Sequence, residues 1–391
     1  MFILFLIVFI NLVGFGIIIP LLPFYGEYFG ATPDQVTLLM AVYSLAQFVT
    51  APIWGGLSDR YGRRPVLLIS LAGTVVAYLW LAYADSLASL YLARAWGGIM
   101  AGSISTAFAY VADVTDEKNR SKGMGLIGAA FGVGFIAGPA IGGLLAGSDP
   151  ANTNFALPSY AAAGFSAAAF ILALLILKES LSAEVRAALS IMTTGDRWRQ
   201  FFQTMVRPDI RLTLVLTFMA IFVFAGLEAT FALWTERTLG WGVEQNGYVF
   251  AYSGIISAII QGSLIGPMSR RMGEPAMIRH GFIALGIGLL IIPFSDNLPL
   301  LLIAMAVTTY GFSICSPALT SQLSLQVSAA DQGAIMGAGR SASTLARVFG
   351  PACAGFLFAW LGKDWPFFAG AILMVVVLIL AYRLVRKSVP E

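Results

Sequence analysis

Gly55-Gly56-Leu57-Ser58-Asp59-Arg60-Tyr61-Gly62-Arg63-Arg64 closes one apolar stretch of this chain, and Gly266-Pro267-Met268-Ser269-Arg270-Arg271-Met272-Gly273-Glu274-Pro275 closes another, 211 residues later. A second pair repeats at almost the same interval: Gly138-Pro139-Ala140-Ile141-Gly142-Gly143 and Gly350-Pro351-Ala352-Cys353-Ala354-Gly355 stand 212 residues apart. Two unrelated motifs that share nearly one offset mark an internal duplication.

The copies are built almost wholly from apolar residues. Of 391 residues, 58% are hydrophobic and 11% charged, with a mean hydropathy of +0.83, whereas a water-soluble domain carries about a quarter charged residues. Apolar stretches bounded by charges, Gly or Pro predict twelve membrane-spanning helices at 2–25, 33–57, 65–84, 87–112, 122–147, 159–178, 211–238, 244–269, 275–293, 298–327, 332–361 and 366–385. Each is long enough for a bilayer core, which takes about 20 residues. The run from Met1 to Phe24 has no basic start and is too long for a signal-peptide core, so it reads as the first span.

The fold expected is therefore an all-α membrane protein: an N-terminal six-helix bundle at 1–178, a cytoplasmic linker at 179–210 and a C-terminal six-helix bundle at 211–391. An even number of spans per copy relates the bundles by a pseudo-two-fold axis along the membrane normal. With both termini cytoplasmic, 18 of the 23 Lys and Arg fall in cytoplasmic segments and two, Arg237 and Lys363, on the other face, as the positive-inside rule requires. In the linker, Trp198, Phe201, Phe202 and Met205 recur at helical spacing beside Arg197, Arg199 and Arg207. That pattern predicts an amphipathic helix on the membrane surface; a solvated linker is the alternative.

Composition also excludes functions. No metal-ligand cluster, nucleophile elbow, phosphate loop or catalytic carboxylate pair appears, so neither an enzyme nor a metal or cofactor site is expected. The basic residues form no nucleic-acid patch. Cys315 and Cys353 sit in apolar runs as small hydrophobes, and the single histidine, His280, sits near the start of span nine.

The motifs resemble those of the major facilitator superfamily. Gly55-x-Leu57-x-Asp59-Arg60-x-Gly62-Arg63-Arg64 is similar to its loop signature, Arg94-x-x-x-Gly98-x-x-x-Gly102 to its span-four motif, and Gly128 to Gly143 to the span-five motif of its drug–proton antiporters. Ala51-Pro52, Gly62 to Ser70 and Tyr110 to Thr115 look most like the tetracycline-efflux branch. The resemblance implies export of drug-like molecules across a bacterial inner membrane by proton antiport, with a small-molecule substrate, protons and lipid as partners and a monomer as the working unit. It also implies proton handling for Arg94. Where tetracycline exporters carry acidic residues in spans one, three and nine, this chain has Asn11, Ala77 and Leu285, and the span-eight histidine of some members falls near Ser257. The resemblance thus fixes the class and not tetracycline as the cargo.

Three groups of residues follow as candidates. Gly55, Asp59, Arg60, Gly62, Arg63, Arg64 and Asp113 form a conformational latch, with Asp113 pairing an arginine of the loop; plain orienting charges are the alternative. Gly134, Gly138, Pro139, Gly142 and Gly143 let span five pack closely and bend; tight packing without movement is the alternative. Arg94, Glu228, Arg340 and Arg347 are charges inside spans, where burial is costly and function is the default reading. Glu228 is the deep carboxylate fit to carry protons, with Arg340 as its neutralising partner and Arg94 as a tuning group. Substrate contacts are expected from Asn11, Gln47, Phe131, Phe135, Phe231, Gln261 and Tyr310, beside Glu228 and Arg340. The competing reading is a carrier of an organic anion or lipid-like metabolite held by Arg340 and Arg347.

Overall fold

The computed structural model describes residues 2–115, 117–149, 152–181, 194–327 and 332–384. Arg186, Arg386 and Lys387, and the side chains of Phe131, Phe201 and Phe202, lie outside that set. Every one of the twelve predicted segments is helical, and the described residues contain no strand. In chain order the helices are α1 (Phe2–Ile18), α2 (Leu21–Tyr28), α3 (Pro33–Tyr61), α4 (Arg63–Ala82), α5 (Leu87–Ala101), α6 (Ile104–Val114), α7 (Glu117–Ala146), α8 (Ala156–Ile176), α9 (Thr194–Met205), α10 (Pro208–Leu239), α11 (Val243–Ile259), α12 (Ile265–Met272), α13 (Glu274–Ile291), α14 (Leu298–Leu325), α15 (Gln332–Leu361) and α16 (Trp365–Ala381). Eight continuous helical stretches are long and apolar enough to cross a membrane, nine if the bent pair α1–α2 counts as one.

Local sequence sets the ends. Ser86 accepts the amide of Ser89 before α5, Asn297 accepts that of Leu300 before α14, and Gly240 closes α10 in the left-handed conformation. These side chains satisfy backbone groups that a helix terminus leaves unpaired. Large apolar side chains such as Leu175, Trp360, Ile379 and Ile372 stand exposed, as a lipid-facing surface demands.

Three of the predicted spans are interrupted. Span one bends by 42° between α1 and α2, where Pro20 cannot donate an amide hydrogen. Span four breaks at Gly102–Ser103, and span eight carries a turn of π-helix at Ile260–Leu264. By contrast, α7 runs unbroken through Pro139.

Contacts divide the chain into two compact units. One comprises Met1–Thr32, Val42–Trp198 and Trp241–Gly254; the other comprises Pro33–Ala41, Arg199–Gly240 and Ile255–Glu391. In the first, Leu4, Ile7, Leu67, Leu71, Val111, Ala169 and Ala173 bury a common core where α1, α4, α6 and α8 meet. In the second, Ile210, Leu214, Leu323, Ile335 and Ala338 do the same, and Met205 of α9 packs against them. Short pieces cross the boundary expected at the linker: Gly247 of α11 lies against Pro139 of α7, and Gly355 of α15 lies against Thr37 of α3.

Helix α7 rests on α1 through its glycines. A Cβ on Gly138 would fall 2.6 Å from the Gly16 Cα, and one on Gly142 would fall 2.3 Å from the Ile17 carbonyl oxygen. Both obstacles are backbone and cannot swing aside. Gly138→Ala is therefore expected to destabilise the protein by about 1–3 kcal/mol, read as a fall in thermal midpoint in detergent. Gly164→Ala, on α8 with no atom within 4 Å of the added carbon, is expected to be neutral or slightly stabilising, because alanine loses less backbone entropy in a helix.

Candidate functional site

A charged pair lies within the second unit. Arg347 Nη1 on α15 donates to Glu228 Oε2 on α10 at 2.8 Å, with side-chain exposures of 37% and 13%. The pairing depends on how closely the two helices approach. A Cβ on Gly350 would stand 2.3 Å from the Phe222 carbonyl oxygen, and one on Gly226 would stand 3.1 Å from Ala354 Cβ. Only small residues permit that spacing, which brings two charged side chains within one hydrogen bond. The partner of Glu228 is thus Arg347 and not Arg340, which lies two turns earlier on the same helix with an exposed side chain.

Arg94 of α5 is 4% exposed, and its guanidinium lies 4.2 Å from the centre of the Tyr43 ring. The quadrupole of the ring offers a desolvated cation a partial replacement for water. Tyr43 in turn touches Phe15, which meets Phe135 edge to face. The break that ends α5 is filled from neighbouring spans. Gln47 donates to the Ala101 carbonyl at 3.2 Å, Thr50 and Trp54 donate to that of Ile99, and Ser70 donates to that of Met100. Gln47, expected as a substrate contact, is spent on backbone in this conformation, and Thr50 and Trp54 carried no sequence signal for that task.

The other expected contacts are scattered. Asn11 Oδ1 accepts from Ser166 at 3.0 Å, tying α1 to α8. Phe231 is fully buried. Tyr310 shares a hydrogen bond of 2.9 Å with His280, an exposed residue of α13. Gln261 sits in the π-turn, exposed, and donates to Ser257 at 2.8 Å, while Ser313 of α14 donates to the same serine hydroxyl. Such turns widen a helix by one residue and recur at functional sites.

Of the residues expected to form a latch, Asp59, Gly62, Arg63, Arg64 and Asp113 come together within the first unit, whereas Arg60 is exposed and lies over its neighbour Tyr61. Arg63 Nε donates to Asp113 Oδ2 at 2.9 Å, and Arg63 Nη1 donates to Ser58 and to Asp59. Arg64 reaches the Leu174 carbonyl. Glu179 was invisible in the sequence as part of this cluster: its carboxylate accepts the backbone amides of Arg63 and Arg64 at 2.9 and 3.1 Å. It stands at the positive end of α4, where an anion is favoured. Gly62 bears on the turn in two ways. Its φ of 105° suits glycine, and a Cβ there, 2.4 Å from Glu179 Oε2, would push that carboxylate off the amides it accepts. In the second copy Gly273 repeats this conformation with φ 73°. Ser269, at the place of Ser58, donates to Glu274, at the place of Arg63, and so does Ser321.

Membrane helices in two copies, with one acid–base pair facing each other inside them and a built turn at the end of each second span, are the makings of a solute transporter and not of an enzyme. The chain belongs to the Major Facilitator Superfamily, whose sequence pattern it matches over residues 4–279 and 262–391. It is 30% identical to multidrug resistance protein 2 of Bacillus subtilis (strain 168), covering 94% of this chain and 91% of that one. It is 34% identical to the class G tetracycline resistance protein of Vibrio anguillarum, covering 95% and 94%. Among solved structures it resembles the human organic anion transporter MFSD10, with 26% identity, a TM-score of 0.73 and coverage of 97% and 98%. A likeness to the nucleoside transporter NupG, at 12% identity and a TM-score of 0.78, bears on the fold alone.

Loss of the Glu179 carboxylate frees two first-turn amides of α4. Glu179→Ala should lower stability by about 1 kcal/mol, the usual worth of a cap. Amides 63 and 64 should exchange with deuterium faster while those in the middle of α4 do not.

Proposed function

We propose that this protein exports amphipathic, drug-like molecules from the bacterial cytoplasm across the inner membrane in exchange for protons, working as a monomer with both termini in the cytoplasm. The observation that carries the reading is the Glu228–Arg347 pair at 2.8 Å. The relatives named for multidrug and tetracycline resistance support the class of cargo.

The pair suits coupling because its two states differ by one proton. With Glu228 ionised, the contact with Arg347 holds α10 to α15. Protonation removes the charge, releases the guanidinium and leaves a neutral acid that needs no cationic partner. A proton taken up from one side and given to the other is thereby tied to a change in packing between two spans. Substrate contacts are assigned to Asn11, Phe131, Phe135, Gln261 and Tyr310, with Gln47 once the span-four break rearranges; Phe231, fully buried, drops out of the set.

The turn at Asp59–Arg64 would act as the latch. In this conformation Arg63 is held by Asp59 and Asp113, and a rearranged state must break charged hydrogen bonds. Gly134, Gly138, Pro139, Gly142 and Gly143 would supply the close surface on which spans one, five and eight adjust. The working bodies of the cycle would be the bundles 1–178 and 211–391, joined by the linker at 179–210, whose helix α9 would lie on the cytoplasmic membrane surface.

The test uses proteoliposomes with an imposed pH gradient. Glu228→Gln should retain substrate counterflow but lose uphill accumulation and substrate-induced proton movement. Accumulation at the wild-type rate would exclude coupling at Glu228. A selective loss of anion binding in Arg347→Ala and Arg340→Ala, with an unchanged pH profile, would transfer the reading to an organic-anion carrier.

A further inference from the structure

At the end of the first unit remote from the latch, α4 having carried the chain about 30 Å from Gly62, three connections border a solvent-open cavity of about 570 Å³. It is lined by Tyr25, Tyr28 and Phe29 from the end of span one, by Ala84, and by residues 152–156. Its size is that of a small-molecule site. The rings are ordered against one another. Tyr25 stacks face to face on Phe155 at 4.4 Å, Tyr28 lies 5.3 Å from the same ring, and the Tyr25 hydroxyl is fixed by donating to the Leu81 and Ala84 carbonyls. Tyr28 is 71% exposed, so ring surface remains open to a ligand.

The charge around these rings has one sign. Residues 1–32, 42–59, 65–93, 123–177 and 241–254 of the unit contain no Lys or Arg. The acids near the cavity are Glu27, beside Tyr28; Asp85, beside Ala84; and Asp149, which accepts from the cavity residue Asn152 at 2.7 Å. Exposed ring faces with carboxylates on residues next to the lining favour a weakly hydrated organic cation over an anion or a neutral molecule.

From this we infer that the cavity between Tyr28, Phe155 and the Asp85 and Asp149 turns is a binding site for amphipathic organic cations, separate from the Glu228 region. Its position on the exit face rests on the orientation proposed above; the binding itself does not. A cation released there would be held by charge and ring faces and displaced by salt.

Equilibrium titration of the purified full-length protein with tetraphenylphosphonium tests the site without any gradient, so it reads independently of transport. Triphenylphosphine oxide serves as a neutral control of similar shape. Wild type should bind the cation with a component that weakens as ionic strength rises and survives in Glu228→Gln. Tyr28→Ala should weaken that component about two- to fivefold, and the pair Asp85→Asn with Asp149→Asn should weaken it further and flatten its salt dependence. All three positions are at the surface, and an unchanged thermal midpoint verifies folding. Binding unchanged in both variants, equal losses for the neutral control, or disappearance of all cation binding in Glu228→Gln would each overturn the site. A site lost in the outer variants while accumulation fails in every protein would leave this inference standing and remove the export reading alone.

Discussion

A chain in hydrocarbon must pair its own backbone donors and acceptors, because no water is present to do so. That constraint makes this protein helical nearly throughout, and it also governs the places where a helix fails. Around the Gly102–Ser103 break the carbonyls of Ile99 and Met100 keep only main-chain contacts of 3.4 and 3.2 Å, and these carbonyls and that of Ala101 also accept from Gln47, Thr50, Trp54 and Ser70 of spans two and three. The interruption is therefore bought with polar side chains on its neighbours. Arg94 sits on the same short helix, two residues before its Trp96, whose indole donates to the Gly73 carbonyl. Its position over Tyr43 is set by the packing of spans two and four through Gly98, where a Cβ would stand 2.2 Å from the Tyr43 carbonyl oxygen.

The second unit meets the same constraint in a different way. There the polar investment is a charge pair, and close helix contact makes it possible. Gly226 and Gly350 bring α10 and α15 together, and the ion pair forms across the seam. In the proposed cycle, neutralising Glu228 would leave Arg347 without its charged partner, so packing and proton chemistry would share the same few residues.

Much of this was readable in the sequence because it depends on pattern. The duplication, the helical segments and the pairing of Asp113 with an arginine of the first loop follow from spacing and from charge at segment ends. The correct partner of Glu228 was within reach as well. Counted back from the ends of α10 and α15, which run in the same direction, Glu228 lies about 17 Å deep, Arg347 about 21 Å and Arg340 about 32 Å. Depth selects Arg347. What sequence could not offer was any feature that depends on where an exposed-looking residue is carried by the fold. Glu179 falls just past the last apolar residue of span six and reads as linker, yet it caps α4. The break in span four has no proline to announce it, and the π-turn in span eight leaves no compositional trace. Gln47 and Phe231 had the right chemistry for ligand contact but were claimed by backbone and core.

The two copies of the loop hold themselves with opposite currencies. In the first, a guanidinium at position 63 is gripped by carboxylates; in the second, a carboxylate at position 274 is gripped by two neutral hydroxyls. Dissolved ions screen a pair of opposite charges more than a charge–hydroxyl bond, and burial of Arg63 and Asp59 shields the first turn from most of that screening. A duplication has in this way acquired a built-in asymmetry: removing one charge from the first turn leaves an opposite charge buried without its partner, whereas removing the charge from its twin leaves only neutral hydroxyls.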